Sequence, residues 1–384
     1  MEPIRVLQLT QGLSIGTHSG GVESHIVKLV DLLDRSQFEP AVFSMWQYGG
    51  AMEEIWLNRL RQNGVSVWGM TTWKGFFFTE FEKFFRKLWA AVSYFKPHII
   101  HSHSERTDWI NLVINRLHPL HPLAIRSIHI DKQWQTHPRI GWFLENYLFP
   151  RTFCMEIALS ESIRDQLRKR RGRQQDRLSL CYSAIDEEFL EIPNVRPSRP
   201  YGVPANKPRI VIIGRLTAQK GYFDLLSALA LVVKKHPAQL LIIGDGPLKP
   251  QILTRIADLK LQNMVHLLGV RRDIRDILSY ADLFILPSYW EGFPAVILEA
   301  MSQKVPVIAT DVSGSRELVV TGETGVLVPP GHPDLLAASI QRLLENPEES
   351  IKMGYQGREK AIQFTVQRMT RCHELIYQQI LNNH

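Results

Sequence analysis

Leu283-Phe-Ile-Leu-Pro-Ser-Tyr-Trp-Glu-Gly-Phe-Pro-Ala-Val-Ile-Leu-Glu299 is the stretch on which the reading of this chain turns. Four apolar residues, Leu283 to Leu286, predict a buried strand. Pro287 and Gly292 punctuate a loop, and the apolar run beyond Pro294 predicts a helix. A helix N-terminus presents free N–H groups and a partial positive charge to an anion. Glu291 stands just ahead of that helix, where a carboxylate can accept hydrogen bonds from the hydroxyls of a ligand such as a sugar. Glu299 falls within the helix. Read alone, the pair is equally well an N-terminal acidic residue and an exposed helical glutamate.

The same strand, loop and helix pattern recurs upstream. In Ile210-Val-Ile-Ile-Gly-Arg-Leu-Thr-Ala-Gln-Lys-Gly221 a strand ends at Gly214, and Arg215 and Lys220 follow before a helix opens. Two cations across a tight loop suit a diphosphate, because Arg forks onto two oxygens and Lys adds a point charge. Solvated surface cations are the plain alternative. Gly12-Leu-Ser-Ile-Gly-Thr-His-Ser-Gly-Gly-Val22, after the first strand, places Gly20 and Gly21 where a backbone can approach a ligand. Ile243-Gly-Asp-Gly-Pro247, with Gly244, is a weak dinucleotide signal because Pro247 and Lys249 stand where the third glycine is expected. Pro97-His-Ile-Ile-His-Ser-His103 puts His101 and His103 on one face of a strand end. No further ligands with metal spacing stand nearby, which argues against zinc and leaves a histidine facing a cleft or a satisfied core histidine.

Strands expected at Ile4–Leu9, Ala41–Ser44, Ile99–His101, Ile157–Leu159, Arg209–Ile213, Gln239–Ile243, Val265–Leu268, Leu283–Leu286, Val305–Ala309 and Gly325–Val328 alternate with helices such as Gly21–Leu33, Gly221–Lys235, Lys249–Leu259 and Pro333–Glu345. Alternation of this kind predicts right-handed βαβ units and parallel sheets covered on both faces. Five prolines between Glu191 and Pro208 break the pattern and predict an extended linker. The expected organisation is an α/β chain with two doubly wound domains. Residues 1–192 are expected to form the first domain, 193–208 a linker and 209–364 the second, with a C-terminal helix over 365–384 packing back toward the first. Ligands are expected in the cleft between the domains, at the carboxyl ends of the strands.

Composition narrows the classes. The chain has 384 residues, 45% hydrophobic and 22% charged, which suits folded domains rather than disorder. Three well-separated cysteines exclude a disulfide framework and a four-cysteine zinc site, and suit a reducing compartment. No apolar run reaches the roughly 20 residues of a membrane helix, and the first residues read as a strand rather than a signal peptide. The net charge of +7 favours polyanionic partners. Of the 36 aromatic residues, 25 lie in residues 1–192, so the two halves are expected to contact different kinds of molecule. No Walker A, GxSxG or HExxH motif is present, and no Asp-x-Asp suggests a metal-bridged nucleotide-sugar site.

Taken in order along the whole chain, the Gly20-Gly21 loop, His101-x-His103, Gly214-Arg215 with Lys220-Gly221, Gly244-Asp-Gly-Pro and Glu291-Gly-Phe-Pro followed by Glu299 resemble glycosyltransferase family 4, the retaining enzymes of the GT-B fold. The resemblance implies two Rossmann-like domains, acceptor-binding over 1–192 and nucleotide-sugar-binding over 209–364. It implies that Glu291, with Gly292, Phe293 and Pro294, meets the donor sugar and Glu299 the ribose. Arg215 and Lys220, beside Gly214, would hold the diphosphate, and Gly244 would line the donor site. His103 would lie near the transferred sugar, Gly20 and Gly21 near the donor phosphate or the acceptor, and Gly269-Val270-Arg271 beside the base. Two segments depart from the family pattern: Cys181-Tyr-Ser-Ala-Ile-Asp186, where Asn-Gly is usual before the acidic residue, and Ser313-Gly-Ser-Arg-Glu317, where Gly-Gly-x-x-Glu is common near the sugar.

The function expected from this resemblance is metal-independent, retaining transfer of a sugar from a UDP- or GDP-linked donor to an acceptor hydroxyl, with no cofactor and no nucleic-acid partner. A nucleotide-sugar epimerase and a non-catalytic binding module are the rivals. The acceptor is expected to be a carbohydrate or lipid-linked, in polysaccharide or glycolipid synthesis, and the protein cytoplasmic, peripheral at the inner face of the membrane. Trp73 to Phe95, with ten aromatics among four cations, and Arg164 to Arg177, with seven cations and two acidic residues, suggest contact with an anionic membrane surface. Phe77, Phe81, Phe84, Phe85 and Leu88 also share one helical face, so part of that aromatic set is expected to face a core.

Overall fold

A computed structural model of the chain describes residues 2–13, 21–72, 77–130, 134, 137–170, 175–192, 203 and 206–383. It divides into two compact units, Met1–Ser183 with Val366–His384, and Ala184–Thr365. The expected linker lies almost wholly outside the described residues. The turn Glu187–Leu190 belongs to the second unit, whose core receives Phe189.

The first unit runs β1 (Ile4–Thr10), α1 (Gly21–Leu32), β2 (Phe38–Gln47), α2 (Ala51–Gln62), β3 (Ser66–Thr72), α3 (Phe77–Phe95), β4 (Ile99–Ser102), α4 (Glu105–Leu117), β5 (Leu123–Ile128), α5 (Pro138–Phe143), a π-helical turn (Leu144–Leu148), α6 (Phe149–Thr152), β6 (Met155–Ala158), α7 (Glu161–Arg168) and β7 (Leu178–Leu180). Its seven strands lie in the order β3-β2-β1-β4-β5-β6-β7, all parallel. The second unit runs β8 (Arg209–Ile213), α8 (Tyr222–Val232), β9 (Gln239–Ile243), α9 (Lys249–Asp258), β10 (Val265–Gly269), α10 (Ile274–Ser279), β11 (Leu283–Leu286), α11 (Ala295–Ser302), β12 (Val307–Thr310), α12 (Ser313–Leu318), β13 (Gly325–Val328), α13 (Pro333–Glu345) and α14 (Pro347–Ala361). Its six strands lie in the order β10-β9-β8-β11-β12-β13, also parallel. The last helix, α15 (Val366–Asn382), belongs to the first unit.

Each sheet therefore reverses its winding once, between β1 and β4 and between β8 and β11. In a doubly wound sheet the connections leave such a pair to opposite faces, so a crevice opens beyond the carboxyl ends of the two strands. The continuous apolar strands of the second unit follow from burial on both faces. Ile210 and Ile212 of β8 pack into one cluster with Leu225 and Leu229 of α8, while the alternate Val211 packs into the other with Phe284, Ile297 and Met301. Each such side chain contributes about 1.5–3 kcal/mol by leaving water.

Three strands of the first unit, β3, β5 and β7, were not among those expected. The β5 segment Leu-Ala-Ile-Arg-Ser-Ile carries a fully buried arginine, Arg126, which breaks its apolar run. The β3 segment holds Gly69, and β7 is a three-residue edge. The expectation from cysteine spacing is also corrected. Cys181 and Cys372 form a disulfide with Cα atoms 6.0 Å apart, fastening α15 beside β7 across 191 residues of chain. Cysteine count therefore carries no argument here for a reducing compartment.

Arg126 sits under the carboxyl half of the first sheet. It forks onto Glu145 at 2.9 and 2.7 Å, and reaches Glu156 at 2.6 Å and Asp108 at 3.2 Å. Its guanidinium lies 4.4 Å from the Phe149 ring centroid. Three carboxylates around one guanidinium leave excess negative charge, partly answered by Arg170 on Glu145. Burial pushes the Asp108 carboxyl up to about 7, against the pull of Arg126 and of Ser102, whose hydroxyl donates to it at 2.7 Å.

Candidate active site

The crevice beyond β8 and β11 is built from glycine positions outward. Gly221 has φ +65°, and a Cβ there would fall on the Pro287 carbonyl oxygen, so only glycine lets the loop after β8 lie against the loop after β11. Gly244 has φ +134°, and its missing Cβ makes room for the Gly214 carbonyl. Gln219 then laces the two loops together. Its side-chain amide donates to the Trp290 carbonyl at 2.8 Å, and its own carbonyl accepts from Tyr289 N–H at 2.8 Å. The Tyr222 hydroxyl donates to the Gly214 carbonyl at 2.7 Å.

This lacing brings Lys220 and Glu291 together although 71 residues separate them. Lys220 Nζ lies 2.6 Å from Glu291 Oε1, and Glu291 is 6% exposed. Arg215, one residue beyond Gly214, is exposed and makes no side-chain hydrogen bond or ion pair among the described residues. Gly292 and Pro294 are buried, and Pro294 caps α11. Phe293 turns into the core, 5.7 Å from the Phe364 ring. Glu299 lies half-buried in the second turn of α11. The Ser313 hydroxyl and the Gly314 N–H both donate to the Glu291 carbonyl at 3.2 Å, so the departing Ser313-Gly-Ser segment braces the loop that carries Glu291. Val270 is 41% exposed beside Gly269, while the Arg271 guanidinium forks onto Asp273 at 2.9 and 2.7 Å.

The first unit answers differently. His103 follows β4 and is buried; its Nε2 lies 2.7 Å from Gln8 Oε1 of β1 and its Nδ1 3.3 Å from His129 Nε2 after β5. His101 lies between the Tyr377 and Ser127 hydroxyls, 2.8 Å from each. His25 of α1 stacks edge-on to His129 and His373 at 5.1 and 5.4 Å. Burial, then the neighbouring imidazoles, drives His25, His101 and His103 well below the ordinary histidine value and His129 to about 3, while burial alone lowers His373 to about 4 against its hydrogen bond to the Met369 carbonyl. No group of His, Cys, Asp or Glu among the described residues is arranged to hold a metal ion. Gly21 opens α1 and faces open space, and Gly20 lies outside the described residues.

Family models cover most of the chain in two blocks. Residues 19–189 match Glycosyltransferase Family 4, and residues 197–360 match Glycosyl transferases group 1. The chain belongs to the GT-B glycosyltransferases of the family 4 type. It is 27% identical over 341 residues to an uncharacterized glycosyltransferase of Methanocaldococcus jannaschii, covering 85% of this chain and 86% of that one. It is 31% identical over 243 residues to the alpha-D-kanosaminyltransferase of Streptomyces kanamyceticus, covering 59% and 62%. Among solved structures, Anabaena HepE in complex with UDP and glucose matches with a TM-score of 0.79 at 20% identity, over 98% of this chain and 100% of that one.

In this glycosyltransferase, then, Arg215, Lys220, Glu291, Gly214, Gly244, Gly292 and Pro294 converge on one crevice of the second unit. Gln219 and Tyr222, which the sequence reading did not single out, brace these loops together with Ser313, which it noted only as a departure from the family pattern. In the first unit Gln8 and His129 were also not foreseen as partners of His103, nor Tyr377 and His373 as neighbours of His101. Their signal was faint: His129 directly follows a strand that Arg126 conceals, and His373 is one polar residue in an amphipathic helix.

Proposed function

We propose that the chain is a retaining, metal-independent glycosyltransferase that moves a hexose from a UDP- or GDP-linked donor to an acceptor hydroxyl. The observation that carries this reading is the Lys220–Glu291 pair at the winding reversal of the second sheet, with Arg215 exposed in the same loop after β8. The reaction breaks the bond between the anomeric carbon and the diphosphate oxygen and forms one to the acceptor oxygen. Charge develops on the departing diphosphate, and two cations stabilise it: Lys220, held by its ion pair with Glu291, and Arg215, whose side chain is exposed in the loop after β8. Glu291 accepts hydrogen bonds from sugar hydroxyls while its charge is balanced by Lys220. Glu299 takes the ribose, and the backbone at Val270 and Arg271 takes the base. Retention follows if the acceptor attacks the face the diphosphate leaves, a donor phosphate oxygen accepting the hydroxyl proton.

A UDP donor has the support of the HepE likeness, in which UDP and glucose are bound. His103 and the neutral imidazoles around it suit hydroxyl groups, so a carbohydrate acceptor, free or lipid-linked, fits the first unit. We place the enzyme in polysaccharide or glycolipid synthesis, at the inner face of a membrane. No helix among the described residues is long and apolar enough to cross one. Part of the aromatic stretch on which a membrane contact was expected faces the core: Phe84, Leu88, Val92 and Phe95 of α3 are buried. Trp73 and Phe76 lie outside the described residues.

The test is a panel of nucleotide sugars read by thermal stabilisation, then by product analysis with and without acceptor. A donor at 100 times its dissociation constant adds about 2.7 kcal/mol to stability. Anomeric configuration of the product, read by nuclear magnetic resonance, decides retention. Sugar turnover with no acceptor present overturns transfer in favour of epimerase chemistry, and stabilisation without any turnover overturns catalysis.

A further inference from the structure

The helical segment from Pro138 to Thr152 presents an apolar face that the rest of the fold leaves uncovered. Its α5, π-turn and α6 run on without a break, since Phe143, Leu144, Leu148 and Phe149 all hold helical backbone angles. The inward face is set by Leu144, Phe149 and Phe153 in the core, with Gly141 against Trp134. The outward face carries Ile140, Trp142 and Phe143, which are 57%, 60% and 50% exposed. Tyr147 joins them, its ring 5.5 Å from both Trp142 and Phe143. Large apolar residues clustered at this exposure mark an interaction surface rather than scattered surface hydrophobics.

Charge identifies the occupant. The exposed ionisable groups on the segment are His137, Arg139 and Arg151, and its one acidic residue, Glu145, is buried beneath Arg126 and Arg170. The Arg151 guanidinium lies along the segment, donating to the Tyr147 carbonyl at 2.6 Å. The Arg170–Glu145 ion pair also fastens the end of α7 to the back of this segment, and of the two residues just before Arg170, both exposed, Lys169 caps α7 and Arg168 lies 3.4 Å from Asp165. Aromatic rings with cations at their edge fit the interface of an anionic bilayer, where rings sit at headgroup depth and cations meet phosphate. We propose that Ile140, Trp142 and Phe143, flanked by Arg139, Arg151, Arg168 and Lys169, form the surface by which this glycosyltransferase docks on an anionic lipid bilayer. The proposal rests on the membrane-peripheral reading above and moves the contact from α3 to this segment.

Co-sedimentation with vesicles of equal parts phosphatidylcholine and phosphatidylglycerol tests it, with pure phosphatidylcholine vesicles as the control. The protein is expected to pellet with the anionic vesicles, less so as salt rises. Replacing Ile140, Trp142 and Phe143 together by serine should lower the partition coefficient by about a hundredfold. Arg139→Ser and Arg151→Ser should each lower it about fivefold. Melting temperature confirms that each variant is folded, and Trp142→Phe, which keeps the apolar bulk, should retain binding while reducing the blue shift of tryptophan emission on vesicles. If the folded triple variant pellets like wild type, this surface is wrong and the membrane reading survives elsewhere on the chain. If wild type stays in the supernatant, or binds neutral and anionic vesicles alike, the membrane reading fails with it. Retained activity on a soluble acceptor in the triple variant separates loss of docking from loss of catalysis.

Discussion

The two sheets reverse their winding in the same way and furnish the crevice at that point with opposite chemistry. At β8 and β11 the second unit places Arg215, Lys220 and Glu291, all formally charged. At β1 and β4 the first unit places Gln8, His101 and His103 within a cluster of imidazoles held neutral by burial. One topology thus yields an electrostatic site and a neutral hydrogen-bonding site. On the function proposed above, the charged set suits a diphosphate, which needs countercharge, and the neutral set suits hydroxyl groups, which need hydrogen-bond partners without charge.

Four experiments break or sharpen that contrast. The largest effect is expected away from both crevices. Arg126→Leu leaves Asp108, Glu145 and Glu156 buried with only Arg170 on Glu145 as a cation, and should cost about 3–5 kcal/mol of stability by chemical denaturation. A loss under 1 kcal/mol would mean that the carboxylates are already protonated and the network carries little charge.

Next come the cations of the second unit. Lys220→Ala and Arg215→Ala should each lower turnover by about 10²–10³, near 2.7–4 kcal/mol of barrier, with the melting temperature little changed for Arg215→Ala because its side chain is exposed. Wild-type turnover in either variant, with donor bound normally, would remove that residue from diphosphate stabilisation.

Acid stability probes the histidines. His373 is depressed to about 4 in the fold from an ordinary value of 6.5, so the unfolded chain binds more protons between those values. Its contribution is fully present above pH 6.5 and lost as pH falls toward 4, about 3 kcal/mol in all. His129, depressed to about 3, acts in the same direction. Asp108 opposes them, because its carboxyl is raised to about 7 and it loses stability as pH climbs from about 4. Melting curves of His373→Gln should therefore fall less steeply on acidification, and those of Asp108→Asn more steeply. Identical pH profiles in all three proteins would contradict the neutral-histidine account.

The smallest effect is expected from chelation. Turnover should survive EDTA, since Arg215 and Lys220 supply the charge a bridging metal would. Loss restored by magnesium or manganese would contradict this and assign the diphosphate to a metal.

Legibility followed how each residue is buried. All six strands of the second unit could be read as apolar runs, because a parallel strand covered on both faces is apolar at every position. In the first unit Arg126 hides β5, and the buried charges that satisfy it come from α4, the π-turn and β6, none of them near in sequence. The aromatics of α3 show the converse: their helical periodicity was plain, but its buried face holds Phe84 and Leu88, and the exposed Trp142 and Phe143 lie on the shorter, less periodic segment after β5.

By itself, the sequence determined the α/β class, the ordered motifs of the family and the candidate residues Arg215, Lys220, Glu291 and His103, because each depends on local runs, turn residues and short spacings. Tertiary structure decided which of them meet. Lys220 and Glu291 pair across 71 residues because parallel crossover connections bring distant strand ends side by side, and Cys181 and Cys372 across 191 because the last helix returns to the first unit. It also decided the ionisation of the histidines, since burial and neighbouring imidazoles, rather than residue type, set whether a histidine carries charge.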